Sequence, residues 1–471
     1  MKPTPFTRRD WLKSGAALLA GGTLFGSGLR NAQAADYKAL VCIFLYGGND
    51  GMNMVVPTDG ARYGQYAAVR GGLAIPAGQL VALGSSGYGL HPSLAALAPH
   101  FSQGTLAPVF NVGPLYAPLN KAQYRAEPEG SPLIPDNLFS HSDQQILWEC
   151  GSTDAQSRTG WGGRASAALA TANPVISVGG NGHFGVEDLR VPLVLPEPGA
   201  TFGAYGLRPQ DTWTPYALRK QAVAALYAQA QPVDLATSFA SQQLGAFAMS
   251  ERLAALIASV PGDAQANPVI DAAFAPLIQG QSLKTPIAEQ LYQVAKLVLG
   301  RATVQGDRQI FFAQMGGFDT HRDQIDGGNP TGGVHAILLR QLGDALAAFQ
   351  TAMMNLGLGQ QVTSFTQADF GRTFAPNASA GTDHAWGNHQ LVIGGAVRGG
   401  RTHGVYPTLA LGGPDDVGVD SWERQGRWIP TAGVDQYAAT LLRWFGATEA
   451  QLDGVLPNLV NFGSQRSLGF L

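Results

Sequence analysis

The stretch from Ala39 to Pro57, ALVCIFLYGGNDGMNMVVP, sets the strongest limit on how this chain can fold. Leu40 to Tyr46 is an unbroken apolar run carrying β-branched and aromatic residues. A short run of this kind, bounded by glycines, fits a strand buried on both faces, as in a parallel sheet covered by helices. Gly47-Gly48-Asn49-Asp50-Gly51 follows at once, and glycine lets a backbone turn sharply and come close to a ligand. Asp50 is therefore expected at the carboxyl end of a central strand, where open α/β sheets place their ligands. The same residue types also make ordinary turns without any function. Two later stretches that end in the same way tip the balance.

The first is Gln309 to Met315, which runs into Gly316-Gly317-Phe318-Asp319-Thr320-His321. The second is Val362 to Thr366, which leads into Ala368-Asp369-Phe370-Gly371-Arg372-Thr373. Between them, Ile337 to Leu356 places Leu338, Leu342, Leu346 and Phe349 on one helical stripe. A glycine-bearing loop then delivers Asp383-His384, and Leu391 to Ile393 makes a further strand. The order strand, helix, strand predicts an α/β fold with a mostly parallel sheet covered by helices, an α/β/α sandwich. In the first half, Leu106 to Val112 is a second buried strand, and a helix opens near Ser140-His141 with Ser140 or Ser142 as its cap and Asp143 in its first turn. A serine at a helix N-terminus is also where an anion is held. From about 209 to 300 the chain becomes rich in Ala, Leu and Gln at helical spacing, which reads as a helical insertion whose Leu and Phe residues are core.

Asp50, Asp319 and Asp369 thus close three predicted strands, and Asp319-Thr320-His321 and Asp383-His384 add imidazoles beside acids. In a parallel sheet these ends share one edge. Carboxylates and neutral imidazoles are ligands for divalent ions such as Zn²⁺, Mn²⁺, Mg²⁺ or Ca²⁺. Several acids meeting without a basic partner would repel, and a bound cation removes that cost. Two ions about 4 Å apart would clamp the attacking and leaving oxygens of an ester displacement. Each piece alone also reads as a hydrogen-bonded turn. Asp369-Phe370-Gly371 matches the kinase triplet by chance, because no glycine-rich nucleotide loop accompanies it. His91, His100, His183 and His335 read as structural, while His389 and His403 stay open.

At the N-terminus, Thr7-Arg8-Arg9-Asp10-Trp11-Leu12-Lys13 carries paired arginines, Gly15 to Leu29 is modestly apolar, and Ala32-Gln33-Ala34 offers a small-x-small cleavage site. This is the layout of a Tat export signal over residues 1–34, read by the Tat translocase. Residues 35–471 are then expected to form one domain, periplasmic or secreted. The apolar run is glycine-rich and short for a membrane anchor. Charged residues make up only 13%, the net charge is -3 and there is no basic run, which argues against nucleic-acid binding. Cys42 and Cys150 make neither a disulfide framework nor a thiolate metal motif.

Phe44-Leu45-Tyr46-Gly47-Gly48-Asn49-Asp50-Gly51, Ser140-His141 with Trp148-Glu149, Gly160-Trp161-Gly162-Gly163-Arg164, Gly316 to His321, Asp369 to Thr373 and Gly381 to His384 occur in order along nearly the whole chain. Together they resemble the domain-of-unknown-function 1501 family of bacterial, mostly Tat-exported proteins. That family in turn resembles the alkaline phosphatase and sulfatase superfamily. The resemblance implies a large α/β/α sandwich with divalent metal, one ion or two, at the strand ends. Carried over by motif, it makes Asp50, Asp319, His321, Asp369, Asp383 and His384 ligand candidates. It makes Ser140 the nucleophile candidate, with His141 as a ligand or partner. In a hydrolase of this kind Arg164 or Arg372 would hold a small anionic ester substrate. The superfamily's Asp-His-Gly is split here into Asp369-Phe370-Gly371 and Asp383-His384-Ala385, and no Cys-x-Pro-x-Arg is present. Two functions follow from this pattern. One is an exported metal-dependent hydrolase of phosphate or sulfate esters. The other is an exported binding or envelope-assembly protein on the same fold, without turnover.

Overall fold

The computed structural model describes residues 37–128, 130–229 and 233–471. The export signal expected at 1–34 lies outside the described residues. The central sheet is built from β1 (Lys38–Leu45), β2 (Leu106–Gly113), β3 (Ile176–Ser177), β4 (Leu193–Val194), β5 (Arg308–Met315), β6 (Val362–Ala368), β7 (Asn388–Gly394), β8 (His403–Gly404) and β9 (Ala432–Gly433). Its order is β8-β2-β7-β6-β1-β5-β3-β4, with β9 also pairing β2. All pairs are parallel except the two made by β7, which runs antiparallel to β6 and β2.

The antiparallel β7 modifies the expected topology. A parallel return needs a crossover, usually a helix, to carry the chain back to the opposite edge. No helix lies between Ala368 and Asn388. The loop stays at the edge where β6 ended, and β7 leaves from there.

The helices named below are α1 (Gly60–Arg70), α2 (His141–Cys150), α3 (Trp161–Ala168), α4 (Thr214–Tyr227), α5 (Asp234–Ala258), α6 (Pro286–Leu299), α7 (Val334–Asn355) and α8 (Val434–Phe445). Leu40, Cys42 and Phe44 of β1 share a buried cluster with Trp148 of α2, Trp161 of α3, and Tyr437, Leu441 and Phe445 of α8. Val41, Ile43 and Leu45 are equally buried and point to the other face, as strand alternation requires. α6 packs on β5 and on α7. It starts where its sequence says it should: Thr285 accepts the Ala288 amide proton and Pro286 takes the first turn, where its missing N–H costs nothing.

The apolar residues of α4 and the start of α5 are not core, contrary to expectation. Leu218 is 61% exposed, Leu226 57% and Phe239 53%. These alanine-rich helices give each other little apolar area to cover. The core of this region begins only at Leu253 and Ile257 and continues into α6. Among the described residues, no helix is long and apolar enough to cross a membrane.

Register places the strand ends. Leu45 lies level with Met315 on one side and with Ala368 on the other. The segments after β1, β5 and β6 therefore leave the sheet at one height. They also press together: a Cβ at Gly47, whose φ is +111°, would lie 2.4 Å from the Asp319 amide nitrogen. Only glycine supplies both that conformation and that closeness.

Candidate metal centre

Four side chains from three separate segments meet at this edge: His141, Asp319, His321 and His384. Each offers one ligand atom, and these atoms lie within 4.8 Å of one another. His141 opens α2, Asp319 and His321 follow β5, and His384 precedes β7. His384 reaches the cluster through the start of an antiparallel strand, not through a strand's carboxyl end.

The three imidazoles are held in the same way. His141 Nδ1 lies 2.7 Å from Asp369 Oδ2. His321 Nδ1 lies 2.8 Å from Asp383 Oδ1. His384 Nδ1 lies 2.6 Å from the Phe139 carbonyl oxygen. Each Nδ1 thus faces an acceptor and carries the hydrogen in the neutral ring, which leaves Nε2 with its lone pair. The three Nε2 atoms converge on Asp319 Oδ1, at 3.2 Å from His141, 3.2 Å from His321 and 3.7 Å from His384. The Nε2 atoms of His321 and His384 are 2.7 Å apart. His141 Nε2 is buried without an aligned hydrogen-bond partner. Three lone pairs and a carboxylate oxygen aimed at one point make a set that a divalent cation satisfies.

The surrounding charges fit that arrangement. Burial works against the Asp319 charge, but the Arg372 hydrogen bond at 2.5 Å, with His141 and His321, holds its carboxyl below the usual range. The bond to Asp369 raises the His141 pKa against burial, whereas burial lowers that of His384. Asp369 is further fixed by the Gly47 amide at 3.1 Å and Gln145 Nε2 at 2.8 Å, and Asp383 by Asn377 Nδ2 at 3.0 Å. Asp319 is half exposed and His321 41% exposed, so the centre is open to solvent.

Several expected site residues have other places. Asp369 and Asp383 stand behind the histidines and orient them instead of joining the converging set. Asp50 is fully buried away from the cluster, bonded to Arg70 at 2.5 Å and to Gln324 at 2.6 Å. Among the described residues the one group of three or more converging His, Cys, Asp or Glu side chains does not include Asp50, Asp369 or Asp383. Arg372 has its guanidinium taken up within the protein. Its buried guanidinium donates to the carbonyls of Gly47, Gly48 and Thr382 and to Asp319. Arg164 is likewise spent on the carbonyls of Val455, Thr159 and Cys150. Ser140 occupies the N-cap position of α2 but its side chain makes no capping bond. Its hydroxyl donates to Asp143 Oδ2 at 2.5 Å instead. His389, whose Nδ1 accepts from the Asn111 amide, and His403, which contacts the Arg398 carbonyl, stand outside the cluster.

Motif alone leaves His141 open as a ligand or a partner of Ser140; the geometry puts it in the converging set. Phe139, Asn377 and Gln145 carry no motif signal at all. Phe139 acts through its main chain, which no side-chain motif reports. Its φ of +74° is equally invisible in the sequence.

Fold and site together define an α/β protein with a three-histidine, one-aspartate cluster at the edge of a mostly parallel sheet. The sequence profile of the family described as "Protein of unknown function (DUF1501)" matches residues 37–417, and the chain belongs to that family. Among solved structures it is similar to the PsFucS1 sulfatase from Pseudoalteromonas sp., at 11% identity over 90% of this chain and 70% of that one, with a TM-score of 0.36. It is also similar to Ps i-CgsB in complex with k-i-k-neocarrahexaose, at 8% identity over 90% of this chain and 77% of that one, with a TM-score of 0.35. No curated protein matches the sequence.

Proposed function

We propose that the protein is an exported hydrolase of phosphate or sulfate esters that works with one divalent ion held by His141, His321, His384 and Asp319. The observation that carries this reading is the convergence of three Nε2 atoms on Asp319 Oδ1, each ring fixed from behind by an oxygen acceptor. Such outer partners are a regular feature of metal-ligating histidines. A set of three imidazoles and one carboxylate suits Zn²⁺ or a similar transition ion better than Mg²⁺ or Ca²⁺, which prefer oxygen. When bound, the ion would lower the pKa of an attacking oxygen and neutralise charge on the ester.

The chain's own residues do the rest. Asp369, Asp383 and the Phe139 carbonyl fix the three rings in one tautomer. Arg372 keeps Asp319 ionised and aimed. The attacking oxygen is either the Ser140 hydroxyl, whose proton Asp143 is placed to take, or a water. The twin arginines at Arg8-Arg9 support export by the Tat route.

Elemental mass spectrometry of the purified mature protein tests this reading. One equivalent of transition metal is expected, lost in His321→Ala and His384→Ala, together with metal-dependent cleavage of aryl phosphate or aryl sulfate. A well-folded protein that takes up no metal when offered Zn²⁺ or Mn²⁺ would overturn it. Metal without cleavage of either ester would favour the binding-protein reading instead.

A further inference from the structure

Resting on that reading, we infer that Arg427 is the residue that receives the anionic group of the ester. It is a guanidinium that the fold brings to the cluster with its two terminal nitrogens unspent. Its Nε donates to the His384 carbonyl at 3.0 Å, and its plane lies 4.7 Å over the Phe139 ring. It thus touches both the third histidine and the residue whose carbonyl orients that histidine. Burial works to raise the Asp383 carboxyl, and the hydrogen bonds from Asn377 and His321, with a smaller share from the Arg427 charge, hold it low. Among the described residues its two terminal nitrogens form no hydrogen bond or ion pair with the protein. Arg372 and Arg164 contrast with it: Arg372 is buried with its nitrogens committed to carbonyls and Asp319, and the half-buried Arg164 is committed to carbonyls.

The position of Arg427 is built, not incidental. Asp416 is fully buried, and its carboxylate accepts the amides of Gly412, Gly418, Gly426 and Arg427 at 2.8 to 3.2 Å. Lys121 pins the same loop by donating to the carbonyls of Gly412, Gly413 and Gly418. A planar fork with two unspent N–H edges beside a metal site suits the geometry of phosphate or sulfate oxygens.

An open cleft of about 540 Å³ is walled by Tyr124, Arg125, Glu127, Asn137 and Leu138, with Arg427 outside its walls. The cleft does not include the cluster itself. Leu138 precedes Phe139, and the Tyr124 hydroxyl feels the charges of Arg125 and Arg427. Glu423 pairs with Arg125 at 3.6 Å.

Calorimetric titration of the Zn²⁺-loaded protein with inorganic phosphate and with sulfate decides this, with metal content measured on every sample. Arg427→Met keeps the stem over Phe139 and removes the fork. It is expected to weaken anion binding at least tenfold, and Arg427→Lys to recover part of the loss. Equal affinity in the wild type and Arg427→Met, or no binding of either anion by the wild type at millimolar concentration, would overturn the proposal. If Arg427→Met loses its metal, the titration is run on chelator-stripped wild type and variant, where a tenfold difference again supports the proposal and equal affinity again overturns it. If the wild type itself takes up no metal, the hydrolase reading fails separately, and the metal-free titration still decides the role of Arg427.

Discussion

His321 and His384 face each other Nε2 to Nε2 at 2.7 Å, with each Nδ1 already engaged by an oxygen acceptor. Two neutral rings in these tautomers would set lone pair against lone pair. A shared proton or a metal ion resolves the conflict, and both compete for the same place. Metal affinity should therefore fall as the pH is lowered and protons compete for the Nε2 atoms. Zn²⁺ titrations at pH 5.5 and 7.5 should differ by more than tenfold in affinity, with proton release on binding. An affinity independent of pH would show that the histidines are not the ligands.

Asp369 and Asp383 carry a different expectation from the four converging residues. Replacing an outer partner costs metal affinity about 10- to 100-fold, not all of it. Asp369→Asn and Asp383→Asn should keep one equivalent of metal at high concentration and release it faster to a chelator. Complete loss of metal from either variant, with the fold intact by circular dichroism, would make that acid a direct ligand.

The pair formed by Asp50 and Arg70 is predicted to serve the fold. Both side chains are fully buried and 2.5 Å apart. Removing one partner from such a pair leaves an uncompensated charge and costs about 3–5 kcal/mol. Arg70→Met should lower the denaturant midpoint accordingly. Asp50→Asn, which keeps the shape and most hydrogen bonds, should leave metal content unchanged. Loss of metal in a folded Asp50→Asn protein would return Asp50 to the site.

Asp435, at the start of α8, is fully buried, and burial raises its pKa to about 7 even though the Asn458 amide donates to it at 3.0 Å. The unfolded value is about 3.9. The folded state thus holds this proton more tightly. The resulting stability is fully present below about pH 3.9 and is lost as pH rises through 7. Asp435→Asn should remove that slope and raise stability at pH 8. Chemical denaturation of both forms at pH 5 and pH 8 measures it. Identical pH dependence in the two proteins would refute it.

The fold was legible where burial dictates sequence. β1, β5 and β6 are buried runs ending in glycine or acid, and all three lie side by side. The direction of β7 was not legible, because a short apolar strand looks the same whichever way it runs. At the site, residue type marked Asp319, His321 and His384 but not their division of labour. Asp369 follows its strand as directly as a ligand would, yet stands behind His141, a distinction set by three-dimensional distance alone. Arg372 looked available because a motif does not reveal that carbonyls have taken its nitrogens. Arg427 sits in Gly426-Arg427-Trp428 with no strand-end signature and gave no signal at all.

The level register of Leu45, Met315 and Ala368 makes the sheet a ruler for the site. A strand advances about 3.3 Å per residue and reverses face with each step. Losing one residue inside β5 would slide Asp319 and His321 by about one ligand bond and a half, and turn alternate side chains out of the core. The long stretch between β4 and β5 has no such duty, since it leaves and re-enters the sheet without setting any height. Insertions, deletions and whole helices can be traded freely in its exposed part, α4 and the start of α5, but not in α6, which packs on β5 and α7. Variation among related chains should therefore gather in that stretch, while the spacing from each strand to its acid or histidine stays fixed to the residue.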